Sequence, residues 1–299
     1  MSAKFHAGEL AVQERTGVRT EAARIGKSLK SVIPPVAAEF LRERRFIVLG
    51  SLDADGRVWT SLLTGAPGFL TAPDEHTLRI AAQPAPGDPL SENLHRNPQA
   101  GTLTMDLAHR RRMRLNGDAT ITPDGIEIQA REVMALCPKY IQARAPEADA
   151  GGASDSSLPQ RSQRLTESQQ RRLAAADTFF LASFHSEGGV DVSHRGGNPG
   201  FVRVLHPTTL AWPDYRGNNM FQTLGNLELN PNAGLLLIDF ATGATLQLTG
   251  KCKVIWDADR VAQSPGAQRV MEFHVEEVLE RTSATGLRWR LLDYSPFNP

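Results

Sequence analysis

The sequence predicts a mainly β protein, built as two small barrels in tandem. Three observations carry this reading. The chain repeats itself at long range: Ser51, Gly56, Val58, Ser61, Gly65, Pro67, Gly68, Phe69 and Leu78 recur 132 positions later as Ser183, Gly188, Val190, Ser193, Gly197, Pro199, Gly200, Phe201 and Leu210. One residue is then inserted, and Asn93, Leu94, Asn97, Pro98, Ala100, Gly101, Leu103, Asp106, Leu115 and Gly117 recur as Asn226, Leu227, Asn230, Pro231, Ala233, Gly234, Leu236, Asp239, Leu248 and Gly250. That period is too long for a solenoid unit and is the size of a small domain. A chain of 299 residues has room for two such cores. Finally, short apolar runs alternate with glycine turns and helical patterns are few, which favours small barrels over a parallel sheet. A β-rich half hides its strand edges by closing on itself or by pairing with a like domain.

Taken in order, residues 1–33 are polar with scattered apolar positions and read as an arm or short helices. The first barrel is expected over 34–144. Pro34 and Pro35 precede V-A-A-E-F-L-R-E, which suits a helix starting after proline. F-I-V-L-G-S-L at 46–52 and V-W-T-S-L-L at 58–63 flank a turn at Asp53, Asp55 and Gly56 and read as paired strands. Further strands are expected near 77–82, 100–106 and 112–122, with a helix near 88–96 and a second helix over I-Q-A-R-E-V-M-A-L at 128–136. Residues 145–165 are rich in glycine, serine and proline with little to bury, and read as the linker between domains. The second barrel, 166–299, opens with a capping box at Thr166 and Gln169. Strands follow at 179–184, 190–193, 201–205 and 208–212, a helix at 218–229, and strands near 233–240, 244–256, 269–279 and 286–292.

Composition excludes several classes. Basic and acidic residues balance at 33 each, so no overall field gathers nucleic acid. The one basic run, Arg110, Arg111, Arg112 and Arg114, reads as a solvated loop or hairpin. The two cysteines, Cys137 and Cys252, stand one per half and imply no disulfide framework. The eight histidines fall in no ligand spacing, and no metal is implied. No run suits a signal core or a membrane span, so a cytoplasmic protein with no membrane partner is expected.

The chemistry-bearing residues lie where the copies differ. D-V-S-H-R-G-G-N-P-G-F-V at 191–202 puts Ser193 and Arg195 two apart, on one side of an extended strand, with His194 facing the other way. Gly196 and Gly197 let backbone approach a ligand, and arginine beside a hydroxyl and free amides makes a phosphate cradle. W-P-D-Y-R-G-N-N-M-F-Q at 212–222 joins a strand to a helix and offers Asp214 and Asn218; Asn218 or Asn219 can equally cap that helix. The first copy has Ser61, Leu62 and Leu63 in place of Ser193, His194 and Arg195. In return it carries Arg114 where the second has Gln247, and C-P-K-Y-I-Q-A-R at 137–144, which has no obvious twin. Reciprocal loss suggests one composite site between the halves. Asp106 and Asp239, present in both copies, fit turns better than catalysis, and no catalytic triad, Rossmann fingerprint or phosphate-binding loop is readable.

These segments resemble the pyridoxamine 5'-phosphate oxidase-like superfamily of FMN-binding split barrels, in its uncharacterised bacterial branch. The resemblance rests on 191–202, on P-D-Y-R-G-N at 213–218 and on N-L-E-L-N-P-N-A-G-L-L at 226–236, and more loosely on P-G-F at 67–69 and N-L-H-R-N-P-Q-A-G at 93–101. Arg114-Leu115-Asn116-Gly117 and Cys137-Pro138-Lys139-Tyr140 look like the late motifs of shorter members. The resemblance implies tandem split barrels related by a pseudo-two-fold axis, FMN as cofactor, and a homodimer as one arrangement. It implies Ser193 and Arg195 near the flavin phosphate, Asp214 and Asn218 beside it, Gly196, Gly197, Gly200 and Phe201 shaping that wall, and Arg114 and Lys139 as the opposite wall. A flavin-dependent oxidoreductase acting on a small-molecule substrate, with an electron donor such as NAD(P)H, is the implied activity. Flavin binding without turnover (storage, sensing or stress), or a barrel holding another cofactor, is the alternative. The oxidase's own arginine-and-lysine phosphate motifs are not readable, which argues against pyridoxamine phosphate as the substrate.

Overall fold

The computed structural model describes residues 5–147 and 157–299. Two short helices, α1 (Ala7–Arg15) and α2 (Arg19–Gly26), form the N-terminal arm, followed by α3 (Pro35–Arg42), which starts on proline. The first half then runs β1 (Phe46–Leu52), β2 (Val58–Thr64), β3 (Leu70–Thr71), β4 (Thr77–Ile80), α4 (Leu90–Arg96), β5 (Gln99–Asp106), β6 (Arg111–Thr122) and β7 (Gly125–Leu136). Two short strands, β8 (Ala143–Pro146) and β9 (Gln160–Ser162), lie between the halves. The second half runs α5 (Glu167–Ala175), β10 (Thr178–His185), β11 (Gly189–Gly196), β12 (Arg203–His206), β13 (Thr209–Asp214), α6 (Gln222–Leu229), β14 (Asn232–Ile238), β15 (Thr245–Ile255), α7 (Ala258–Ala262), β16 (Arg269–Arg281) and β17 (Trp289–Asp293).

The two main sheets have the same strand order. The first is β2-β1-β5-β6-β7-β4-β3 and the second β11-β10-β14-β15-β16-β13-β12, antiparallel throughout, with β9 added beside β16. The repeated residues explain why both copies fold alike. Gly117 and Gly250 each follow a bulge, and a Cβ there would lie 1.9 and 2.0 Å from the carbonyl oxygens of Gln129 and His274 on the partner strand. Asn93 donates to the Ser51 hydroxyl at 2.9 Å and Asn226 to the Ser183 hydroxyl at 3.0 Å, tying α4 and α6 to their sheets. Asp106 and Asp239 accept backbone N–H groups of the turns that follow them.

Two expectations are corrected. Residues 128–136 are strand, not helix: Ile126 and Ile128 alternate inward, the bulge opposite Gly117 shifts the phase so that Val133 joins the core, and Met134 on the other face is buried against Phe5, Ala22 and Met220. That break in alternation imitated a helical period. The ends of the 145–165 linker are in strands, with β8 paired to β17 and β9 paired to β16, while its centre at 148–156 lies outside the described residues.

Each half has its own apolar core, and a third apolar cluster lies between them, with Phe46, Val48, Val58 and Leu103 against Phe180, Ala182, Val192 and Leu236. The contacts are reciprocal. Gly101 of β5 faces the Val190 carbonyl of β11, and Gly234 of β14 faces the Val58 carbonyl of β2. Such an exchange is the mark of a two-fold interface, here within one chain. A buried ion pair, Arg144 with both carboxylate oxygens of Asp177 at 2.6 Å, ties the first half's exit to the entry of the second.

Candidate functional site

The cleft between the halves is walled by both. From the second half come the end of β11, the β13 end and the loop into α6. From the first come β6 and the turn after β7. Ser193, Arg195, Gly196, Phe201, Asp214 and Asn218 line it on one side, and Arg114 and Lys139 on the other. Gly197 and Gly200 do not line it. Gly197 lets the Phe201 ring pack 2.7 Å from where a Cβ would sit, and Gly200 turns at φ +92°; Gly65 and Gly68 do the same in the first copy.

Gly196 lets the halves approach closely, since a Cβ there would lie 2.1 Å from the Tyr140 carbonyl oxygen. Tyr140 itself is held at φ +65°, and its ring lies tilted by 34° against that of Tyr215 with centroids 5.1 Å apart. Gln142, fully buried, donates to the Gly197 carbonyl and accepts from Ser295 N, so the C-terminal tail also braces this rim. The space enclosed is about 130 Å³, below the ~300–1,000 Å³ usual for ligand pockets, and the cleft opens to solvent.

Its charge is cationic. Asp214 is shared by Arg195 at 2.7 Å and Arg269 at 2.8 Å, leaving one positive charge over. Arg114 is spent on Asp191 at 2.8 Å and on the Gln222 side chain at 2.6 Å. Arg112, which the sequence reading placed in a solvated hairpin, instead turns into the cleft. Strand alternation explains the split: Arg111 points out over Phe40, while Arg112 and Arg114 point in. Among the described residues Arg112 has no carboxylate partner; its Nη1 donates to His194 Nδ1 at 2.9 Å. Burial, with Arg114 and Arg195 nearby, pushes the Arg112 guanidinium down to about 10. Burial, with Arg112, Arg144 and Arg195 nearby, holds His194 well below its usual range, so the ring is neutral. Because Nδ1 accepts from an arginine, the ring proton sits on Nε2, which has no partner. The Nε atoms of Arg112, Arg114 and Arg195 are likewise unpaired.

The N-terminus of α6 faces the same space. Its cap, Phe221, is left-handed at φ +62° and makes no side-chain cap bond. Asn218 therefore does not cap the helix; its Oδ1 accepts from Met220 N at 3.2 Å. The helix begins at 222 rather than 218 because Asn219 and Phe221 are both left-handed. Ser193 and Thr223 hydroxyls meet at 3.2 Å beside the uncapped turn. Unfilled donors, surplus positive charge and a helix N-terminus together describe an anion site.

A family model described as pyridoxamine 5'-phosphate oxidase matches the chain twice, over residues 33–153 and 165–285. Among solved structures, HupZ of Group A Streptococcus is similar at 16% identity and TM-score 0.34, covering 40% of this chain and 98% of that one. An FMN-binding protein from Syntrophomonas wolfei is similar at 13% identity and TM-score 0.29, covering 38% and 84%. An FAD binding protein from Mycobacterium smegmatis is similar at 11% identity and TM-score 0.29, covering 40% and 97%. No curated protein matches the chain. No helix among the described residues is long and apolar enough to cross a membrane.

Proposed function

Because the chain belongs to the pyridoxamine 5'-phosphate oxidase family across both its halves, we propose that the cleft binds FMN and that the protein is a flavin-dependent oxidoreductase. The observation that carries this is the group of unfilled donors, from Arg112, Arg195 and His194, beside the open N-terminus of α6. The residues present fit a phosphate there, and Tyr140, Tyr215 and Phe201 offer flat apolar surface for a ring system. Arg195 and Arg112 would hold the phosphate charge, Ser193 and Thr223 would hydrogen-bond it, and His194 would donate from Nε2. When bound, the flavin supplies the hydride chemistry, and the protein supplies orientation and electrostatics.

The test is the absorbance of the purified protein, with mass identification of what it releases on denaturation. A flavin band and released FMN are expected. Arg195→Ala is expected to weaken FMN binding about tenfold, the equivalent of ~1.4 kcal/mol. A colourless protein that takes up no added FMN would refute the reading. Flavin reduction by NADH or NADPH, followed by reoxidation, separates an enzyme from a flavin-holding protein.

A further inference from the structure

Behind the cleft lies a second cavity, about 390 Å³, enclosed by the N-terminal arm, β6, β7 and the β10–β11 turn. It is rich in carboxylate: Glu9, Glu132 and Asp191 all line it. Among the described residues the one buried arginine facing this group is Arg114, whose Nη1 goes to Asp191 and to Gln222. Arg131 also lines the cavity, but its side chain is 60% exposed and pairs with Asp118. Asn116, only 7% exposed, also lines the cavity; its amide donates to Asp191 and its Oδ1 has no partner. An unmet acceptor beside crowded carboxylates calls for a donor with positive charge.

The protein's own internal repeat shows which donor. Glu132 lies opposite Asn116, the residue before the bulge glycine, and its twin Glu277 lies opposite Thr249 in the same position. Glu277 is held by two guanidinium groups, Arg57 at 3.0 Å and Arg161 at 2.5 Å. In the second copy the position equivalent to Arg57 is Gly189, which has no side chain and lines the cavity. Glu132 is left with the Gln222 amide at 3.0 Å as its hydrogen-bond donor. One copy keeps the carboxylate–guanidinium pair; the other keeps the carboxylate and a hole where the guanidinium would reach.

We propose that this cavity binds a small organic cation, a guanidinium or primary ammonium compound, with Glu132 as its chief partner and Asn116 Oδ1 as a second acceptor. A bare metal ion fits less well, since no three metal-ligating side chains converge among the described residues. Burial and the neighbouring Asp191 hold the Glu132 and Glu9 carboxyls above their ordinary range, as expected for acids short of a cation. Gln222 lines both this cavity and the cleft, donating to Glu132 and accepting from Arg114. It is the physical link by which an occupant here would bear on the cleft. The proposal does not depend on flavin binding.

Calorimetric titration of the full chain with n-butylguanidinium, and with the uncharged isostere n-butylurea, tests it. One saturable guanidinium site per chain is expected, with butylurea weaker by about tenfold or more. Glu132→Gln is expected to weaken butylguanidinium by about tenfold while leaving butylurea unchanged. Equal affinity for the two probes, no saturable guanidinium binding, or full binding in a folded Glu132→Gln protein would each overturn the proposal. The comparison of probes on the unmutated protein stands even if the variant does not fold.

Discussion

At the scale of single residues, the cleft is defined by what its arginines do not touch. Asp214 answers Arg195 and Arg269, and Asp191 answers Arg114, but among the described residues no carboxylate answers Arg112. A cation in that position costs stability unless a ligand meets it. Arg112→Met is therefore expected to leave the thermal midpoint of the ligand-free protein unchanged or raised, while weakening FMN binding about tenfold. Thermal unfolding with and without FMN reads both effects. A fall in the ligand-free midpoint would mean that Arg112 is structural. The sequence hid this residue among four basic positions. The signal that finds it is alternation on a strand: Arg112 and Arg114 share a side that Arg111 does not. Arg195 and Arg114 were legible because each differs from its twin, Leu63 and Gln247, whereas Ser193 repeats Ser61 and stood out only through the residues beside it. Gly197 and Gly200 were drawn into the same list because they adjoin that run, yet both are shared with the first copy and serve a turn.

At the scale of elements, α1 lies outside the repeated strands and carries a buried titratable group. It crosses α6 closely enough that a Cβ on Gly8 would lie 2.1 Å from the Gly225 carbonyl oxygen. It also buries Glu9, whose carboxyl is pushed up to about 8 from an ordinary 4.5, chiefly by burial. The native state holds this proton while the unfolded chain releases it. The contribution is thus complete below about pH 4.5 and is lost as pH rises through about 8. Glu9→Gln is expected to raise the thermal midpoint by several degrees at pH 8.5 and by little at pH 5, at about 2–4 °C per kcal/mol. Midpoints measured at the two pH values decide it, and an equal gain at both would remove Glu9 as the titrating group. Element identity was readable where a short apolar run was bounded by turn residues, as in β1, β10 and β14, which are buried almost throughout. It failed at β7, where a bulge shifts the inward face by one residue, because that shift depends on a partner strand no local window contains.

At the scale of the whole molecule, the repeat in sequence becomes a two-fold pair of sheets, and the pair explains the number of sites. The position equivalent to the cleft in the other half is already filled. Gln247, the twin of Arg114, donates to the Ser61 hydroxyl at 3.2 Å and to Asp88 at 3.1 Å, and Ser61 donates to Asp88 at 2.6 Å. Arg281 reaches the carbonyls of Pro86 and Ser157 and closes the same region. Leu62 and Leu63 stand where a cradle would need His194 and Arg195. One FMN per chain is therefore the expected saturation stoichiometry by titration, and two equally tight sites would contradict it. The pairing of copies was legible from the ordered string of matches. What filled the second position was not, because the fillers Ser61, Asp88, Gln247 and Arg281 come from four separated segments that only the fold brings together.

The reciprocal interface also has a consequence for dilution. Where two separate polypeptides contribute opposite walls, a cleft exists only above their dissociation constant, and ligand affinity falls as protein becomes scarce. Here the tether between the halves makes that encounter intramolecular, at a local concentration fixed by covalent connection and not by expression level. The dissociation constant for FMN should therefore be independent of protein concentration from micromolar to low nanomolar, a range that flavin fluorescence can follow. A molecule built this way keeps its cleft at very low copy number.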